Sequence, residues 1–157
     1  MKIKIIAVGK IKEKYLKDAI DEYKKRLSKF CNLSIVEVNE SIAKVENDSN
    51  IKKSIEEEAK EIISKIKNEY VIVLDIDGKE CSTLELSKKL SDIKLKGVSE
   101  ISFIIGGSYG LSDAVKKKAD LRLSFSKLTF PHQLFRVILM EQIYRIFKVE
   151  GNEPYHK

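Results

Sequence analysis

Three short runs of this sequence mix glycine, hydroxyl, charged and aromatic residues in ways that neither a strand nor a helix accounts for. They are Leu74-Asp-Ile-Asp-Gly-Lys79, Gly106-Gly-Ser-Tyr-Gly-Leu111 and Ser126-Lys-Leu-Thr-Phe-Pro131. Each follows an apolar stretch that reads as a strand. Each would therefore leave the carboxyl end of a sheet, which is where α/β folds bind ligands. Glycine admits positive φ and lets a backbone come close to a ligand. The runs do not spell a phosphate cradle. Gly106-Gly107-x-x-Gly110 is not the dinucleotide fingerprint, and Gly78-Lys79 is followed by Glu80 rather than by Ser or Thr. Bland turns explain any one run alone. A small ligand held by backbone amides and carbonyls, between apolar walls from Leu74, Leu128 and Phe130, explains all three, and an adenosine moiety meets that description.

Other reactive groups are few. The chain holds two histidines, His132 and His156, and two cysteines, Cys31 and Cys81, with no C-x-x-C spacing. A catalytic zinc would need three ligands at recognisable spacing, so no metal site is expected. The cysteines read as two reduced thiols. The sequence runs to a Glu153-Pro-Tyr-His-Lys157 end with no low-complexity tract before it. Tyr155 and His156 are odd residues for a segment expected to fray.

The elements that must position these groups alternate along the chain. Lys2 to Val8, Leu33 to Val38, Tyr70 to Asp75, Ile101 to Ile105 and Leu121 to Phe125 read as strands, several of them apolar on both faces as in a covered parallel sheet. Tyr15, Leu16, Ala19, Ile20, Tyr23, Leu27 and Phe30 recur at helical spacing, as do Ile51, Ile55, Ala59, Ile62, Ile63 and Ile66. Ser82-Thr-Leu-Glu85 is a capping box, Ser112 is a candidate N-cap, and Pro131 stands where the first turn of a helix tolerates proline. The polar stretch from Asn39 to Asn50 is expected to be the most mobile segment. The pattern predicts an α/β fold, a mainly parallel sheet with helices on both faces.

The helix after Pro131 is apolar nearly all round, and such a helix must be covered on nearly all sides. Two readings follow: a subunit interface, most simply a twofold homodimer, or a central core helix.

Composition narrows the class. With 157 residues, 43% apolar and 34% charged, the chain fits one globular domain, residues 1–157, with a core of its own. No window approaches a membrane span, and the first residues form a strand pattern rather than a signal peptide, so a cytoplasmic protein is expected. A net charge of +6 suits a polyanionic partner, but it is spread over both halves of the chain and equally fits a solvated lysine-rich surface.

Taken together, five motifs resemble one family. The opening Ile3-Lys-Ile-Ile-Ala-Val-Gly-Lys10, the Leu74-Asp-x-x-Gly-Lys79 turn, the Ile105-Gly-Gly-x-x-Gly-Leu111 loop, the Leu128-to-Gln133 run and the final Tyr155-His156 look like the ribosomal RNA large subunit methyltransferase H family of the SPOUT class. The resemblance covers essentially the whole chain. It implies a C-terminal trefoil knot, a rare exception to unknotted folding. It also implies S-adenosylmethionine bound by Leu74, Gly106 and the run Phe125, Ser126, Lys127, Leu128, Thr129 and Phe130, beside a partner subunit. The implied substrate is a pseudouridine of 23S rRNA, methylated at N3 on the assembled ribosome. One departure is Ser108-Tyr109, where the family commonly has smaller or polar pairs; Tyr109 would stack on a base or cover the cofactor.

On this reading the N3 proton needs an acceptor. His156 is the first candidate, with Tyr155 beside it, because histidine titrates nearest neutrality. Arg145 and Arg136, on the polar side of the last helix, would clamp phosphate or the uracil carbonyls, and His132 would orient its loop. The plainer alternatives are an Arg145 pair with Glu141 one turn earlier, a His132 satisfied by backbone, and a tail that only docks. Lacking an appended RNA-binding module, the protein is expected to bind naked RNA weakly and to need a folded ribosomal surface. The competing functional classes are a non-catalytic ribosome- or RNA-binding protein on the same fold and an enzyme for a phosphorylated ligand.

Overall fold

The computed structural model describes residues 1–155. Ten elements alternate: β1 (Lys2–Val8), α1 (Lys14–Leu27), β2 (Asn32–Val38), α2 (Asp48–Lys65), β3 (Tyr70–Glu80), α3 (Thr83–Leu95), β4 (Glu100–Ile105), α4 (Asp113–Lys116), β5 (Leu121–Ser124) and α5 (His132–Glu150). The strands form one sheet in the order β2-β1-β4-β3-β5, with every pairing parallel. The expected α/β class and parallel sheet are what the structure has.

Strand alternation sorts the core into two layers. Ile3, Ile5, Ala7, Ile101, Phe103 and Ile105 point to the side of α1, α3 and α5. Ile6, Val8, Val71, Val73 and Ile104 point to α2 and α4. Both faces are therefore covered by helices, which explains why the strands read as nearly continuous apolar runs.

Helix starts are set by side chains that accept orphan amides. Asn47 accepts from the Asn50 N–H at 2.8 Å at the start of α2. Ser82 and Glu85 form the complete reciprocal box of α3. Ser112 accepts from the Val115 N–H at 3.2 Å. Pro131 stands one place before α5 rather than inside its first turn, and its carbonyl takes the Phe135 N–H at 2.9 Å.

β3 runs five residues past the expected end at Asp75. Leu123 of β5 is in register with both Leu74 and Lys79, so the chain between them bows around β5. At Gly78 an added Cβ would lie 2.8 Å from the backbone of Arg122 and Leu123. Only glycine lets the chain pass so close.

The breadth of α5 is partly explained by core. The helix packs against α1 and α3 as well as β4, and it buries Leu139, Met140, Ile143, Ile146 and Phe147. A stripe of Leu134, Ile138, Glu141 and Arg145 remains outside the core. The polar stretch after β2 is tied down by α2. The Asn39 N–H donates to Glu61 at 3.1 Å, the Ser41 N–H to Glu58 at 2.9 Å and the Ser41 hydroxyl to Glu57 at 2.7 Å. No helix among the described residues is long and apolar enough to cross a membrane.

Candidate functional site

The exits of β3, β4 and β5 converge on a cavity of about 710 Å³, within the roughly 300–1,000 Å³ typical of ligand pockets. Leu74, Ile105 and Leu123 form its base where the strands end. One wall is aromatic: Phe125 meets Phe135 edge-on at 5.1 Å, and Phe130 stacks on Phe135 at 5.9 Å. The turn Gly107–Gly110 lines it as well. Of the residues that the sequence assigned to cofactor, Leu74, Gly106, Phe125, Ser126, Leu128, Thr129 and Phe130 line this cavity, and Lys127 does not. The loop holds its own shape, because the Ser126 hydroxyl accepts the Leu128 N–H at 2.9 Å.

The glycines serve the protein's own packing. A Cβ on Gly106 would come within 2.8 Å of Leu111 Cγ, and one on Gly107 within 2.9 Å of Val8 Cγ1. Gly110 has φ +84, a conformation that side chains resist. Within the chain, two of these glycines admit neighbouring strands and loops, and the third permits the turn.

The sequence missed the charged corner of the cavity. Asp75, nearly buried, accepts from Arg122 Nε at 2.9 Å and from the Asp77 N–H at 3.3 Å, and it lies 3.3 Å from Lys116 Nζ. Burial alone would raise the Asp75 carboxyl, but Arg122, the Asp77 amide and Lys116 outweigh it and hold the group below its ordinary range. The corner thus gathers two carboxylates, Asp75 and Asp77, and two cations, Arg122 and Lys116. The available signal was Asp75 inside a quoted motif; its partners come from β5 and α4, which no local pattern links to it.

The proposed catalytic residues fall into separate places. His132 lines the cavity, with Nε2 unbonded and 3.9 Å from Glu40 Oε1. Arg136 is not on a polar side of α5 and cannot clamp a phosphate. It is 1% exposed and its guanidinium is taken by Glu37 at 2.8 Å and by the Val8 and Gly9 carbonyls. The reason is helical phase: Arg136 shares the inward stripe with Leu139, Met140, Ile143 and Phe147. Arg145 bonds Glu141 at 2.6 Å, the plainer of its two readings, and stacks on Tyr155 at 5.0 Å. The Tyr155 hydroxyl also donates to Glu141, at 3.3 Å, and its ring meets Tyr144 at 5.1 Å. Burial first, then the bond to Glu141, pushes the neighbouring Tyr23 hydroxyl up to about 12. His156 lies outside the described residues. Tyr155 and Arg145 thus meet past the middle of α5, away from the cavity that His132 and Phe135 line at its start.

Neither thiol is placed to ionise readily. Burial pushes Cys31 up to about 11 and also raises Cys81. Among the described residues no three His, Cys, Asp or Glu side chains are arranged to hold a metal ion.

Comparison with known proteins is consistent across the chain. The family model described as "Predicted SPOUT methyltransferase" matches residues 1–156. Ribosomal RNA large subunit methyltransferase H of Clostridioides difficile (strain 630) is 56% identical over 160 residues, with both chains fully covered. The same enzyme of Clostridium novyi (strain NT) is 53% identical over 161 residues, again with both fully covered. Among solved structures, the tRNA (m1G37) methyltransferase of Aquifex aeolicus superposes with a TM-score of 0.53 at 13% identity, covering 92% of this chain and 70% of that one. That likeness concerns the fold, and with the family match it supports the knotted arrangement.

Proposed function

The chain belongs to the SPOUT methyltransferase family, and from that premise we propose that it methylates N3 of a pseudouridine in large-subunit rRNA. At the coarser level it is an S-adenosylmethionine-dependent large-subunit rRNA methyltransferase. The observation that carries the reading is the cavity where three strand exits meet, walled by aromatic and aliphatic side chains with one charged corner. Those residues fit the cofactor. Leu74, Phe125, Leu128 and Phe130 offer apolar walls, and Gly106 to Gly110 and Ser126 to Thr129 offer backbone groups. Asp75 and Asp77 suit cationic centres, and Lys116 suits a carboxylate. When bound, the cofactor supplies an electrophilic methyl group on a sulfonium.

What this chain contributes is mainly positioning, which supplies roughly 7–11 kcal/mol in favourable cases. The loops after β3, β4 and β5 would hold the donor and exclude water from it. The proton on N3 must leave, and His156 with Tyr155 remains our candidate for accepting it. Within one protomer Tyr155 packs on Glu141, Tyr144 and Arg145, roughly 14 Å or more along α5 from His132 at the cavity. The half-exposed stripe Leu134, Ile138, Glu141 and Arg145 supports a twofold, antiparallel contact between two copies. Such pairing would carry the tail of one copy to the cavity of the other, with Arg145 near the RNA. The ribosome, rather than naked RNA, is the substrate we expect.

Ribosomes lacking the modification, incubated with the protein and labelled S-adenosylmethionine, test the proposal by mass spectrometry of rRNA nucleosides. N3-methylpseudouridine is the expected product. Methyl transfer to another nucleoside would overturn the position, and cofactor binding without any transfer would favour a non-catalytic ribosome-binding role.

A further inference from the structure

We propose that Tyr109 is the stacking platform for the target base, held in place by the loop between β2 and α2; this rests on the rRNA methyltransferase reading above. Gly107 and Gly110 pair across a tight turn, with the Gly110 N–H donating to the Gly107 carbonyl at 3.1 Å. Ser108 and Tyr109 are the two residues of its tip. Their hydroxyls are both caught by the same loop. The Ser108 hydroxyl donates to Glu40 at 2.9 Å and the Tyr109 hydroxyl donates to Glu46 at 3.2 Å. That loop is in turn anchored to α2 through Ser41, which bonds Glu57 and Glu58. The tyrosine is thus fixed at both ends, at its Cα by the turn and at its hydroxyl by Glu46.

A ring fixed in this way loses little freedom when it meets a ligand. The ring lines the cavity. The other aromatic residues there, Phe125, Phe130 and Phe135, pair among themselves, whereas no ring of the described residues pairs with Tyr109. The ring is half-buried and carries no aromatic partner among the described residues. Glu40 and Glu46 put carboxylates beside the tip, and these repel the phosphates of a nucleic acid. What can approach is an uncharged base. Sequence-specific RNA recognition works on splayed-out bases stacked on aromatic side chains, and a base that is modified must leave its stack. The apolar wall needed by an adenosine is already present in the cavity. Tyr109 is surplus to that need.

The test uses the full chain with Tyr109→Leu and Tyr109→Phe, each checked for an unchanged melting transition. Cofactor affinity is measured by calorimetry and steady-state kinetics are measured with unmodified ribosomes. Tyr109→Leu should raise KM for ribosomes about tenfold, as expected for a lost base–aromatic stack, with cofactor affinity unchanged. Tyr109→Phe keeps the ring but loses the Glu46 tether, and its KM should fall between wild type and Tyr109→Leu. Loss of cofactor affinity in Tyr109→Leu would overturn the proposal, because the ring would then cover the cofactor. An unchanged KM would overturn it equally. A wild-type protein that transfers no methyl group to ribosomes overturns the rRNA reading itself, and the platform with it.

Discussion

At the amino end of β3, Glu69 accepts from Lys4 Nζ at 2.6 Å, from the Ser102 hydroxyl at 2.8 Å and from the Lys67 N–H at 2.8 Å. At the carboxyl end of the same strand, Asp75 is shared by Arg122 and Lys116. Both carboxylates are depressed below their ordinary range by cations and hydrogen bonds that outweigh burial. The first ties β1, β4 and the entry to β3 into a closed unit, and its carboxylate is 1% exposed. The second borders a cavity, and its Arg122 partner is 43% exposed. One arrangement of charges locks a sheet, and the other leaves cations within reach of a ligand. The difference lies in the cations: Lys4 is 13% exposed, whereas Lys116 is 23% and Arg122 43%.

The comparison can be broken most severely at the bow of β3 around β5. Gly78→Ala should destabilise the protein by about 3 kcal/mol through overpacking and abolish cofactor binding. Denaturant unfolding and calorimetry would read these two effects. A variant with normal stability and affinity would show that the bow is looser than its 2.8 Å contacts indicate.

Next in size is the lock. Glu69→Gln should cost about 2 kcal/mol, less than most broken buried pairs because Lys4 keeps Glu100 as a partner. Cofactor affinity should not change. Against burial, Lys4, Ser102 and the backbone amides hold the Glu69 carboxyl down to about 2, below the ordinary 4.5. Its contribution is therefore complete above pH 4.5 and fades as pH falls toward 2. The stability difference between wild type and variant should close over that interval, which acid titration of the folding equilibrium measures. A difference independent of pH would mean that the charge is not what locks the strands.

Asp75→Asn reverses the pattern. Its stability change should stay within about 1 kcal/mol, because its cations are partly solvated, while cofactor affinity falls measurably in a binding titration. Equal losses of stability and affinity would erase the distinction between the two ends.

The smallest effect concerns a third carboxylate, Glu58, behind the glycine turn. Burial raises it; the Ser41 N–H lowers it and Glu40 raises it again, and the net direction is upward. With a folded value above the unfolded one, its protonated form favours the fold, and that support fades as pH rises above 4.5. Glu58→Gln keeps the acceptor for Ser41 and cannot ionise. It should gain on wild type as pH rises toward neutrality, visible as a higher relative melting temperature.

Much of the fold was legible because local signals agree with it. Strand alternation, the Ser82–Glu85 box and the Ser112 cap each describe residues whose partners lie within a few positions. What escaped is non-local. β3 continues to Glu80 because Leu123 offers it a partner, although Asp75-Ile-Asp-Gly-Lys79 is poor strand material. The Asp75 corner needs β5 and α4 to meet. Arg136 was misplaced by its charge, although the spacing to Leu139, Met140 and Ile143 marked it as inward. The motif residues of the three loops were found because they gather at strand ends, while Tyr155 and Arg145 could not be placed without knowing where the tail meets α5.

That meeting point has a spectroscopic consequence. The chain has no tryptophan and six tyrosines. Tyr155 lies 5.1 Å from Tyr144, which in turn lies 6.5 Å from Tyr23, so half of the tyrosines form one coupled chromophore group. Any movement of the tail off α5 separates Tyr155 from its neighbours. Near-ultraviolet circular dichroism and tyrosine emission would register that movement directly, making the unlabelled protein its own reporter of where its tail is docked.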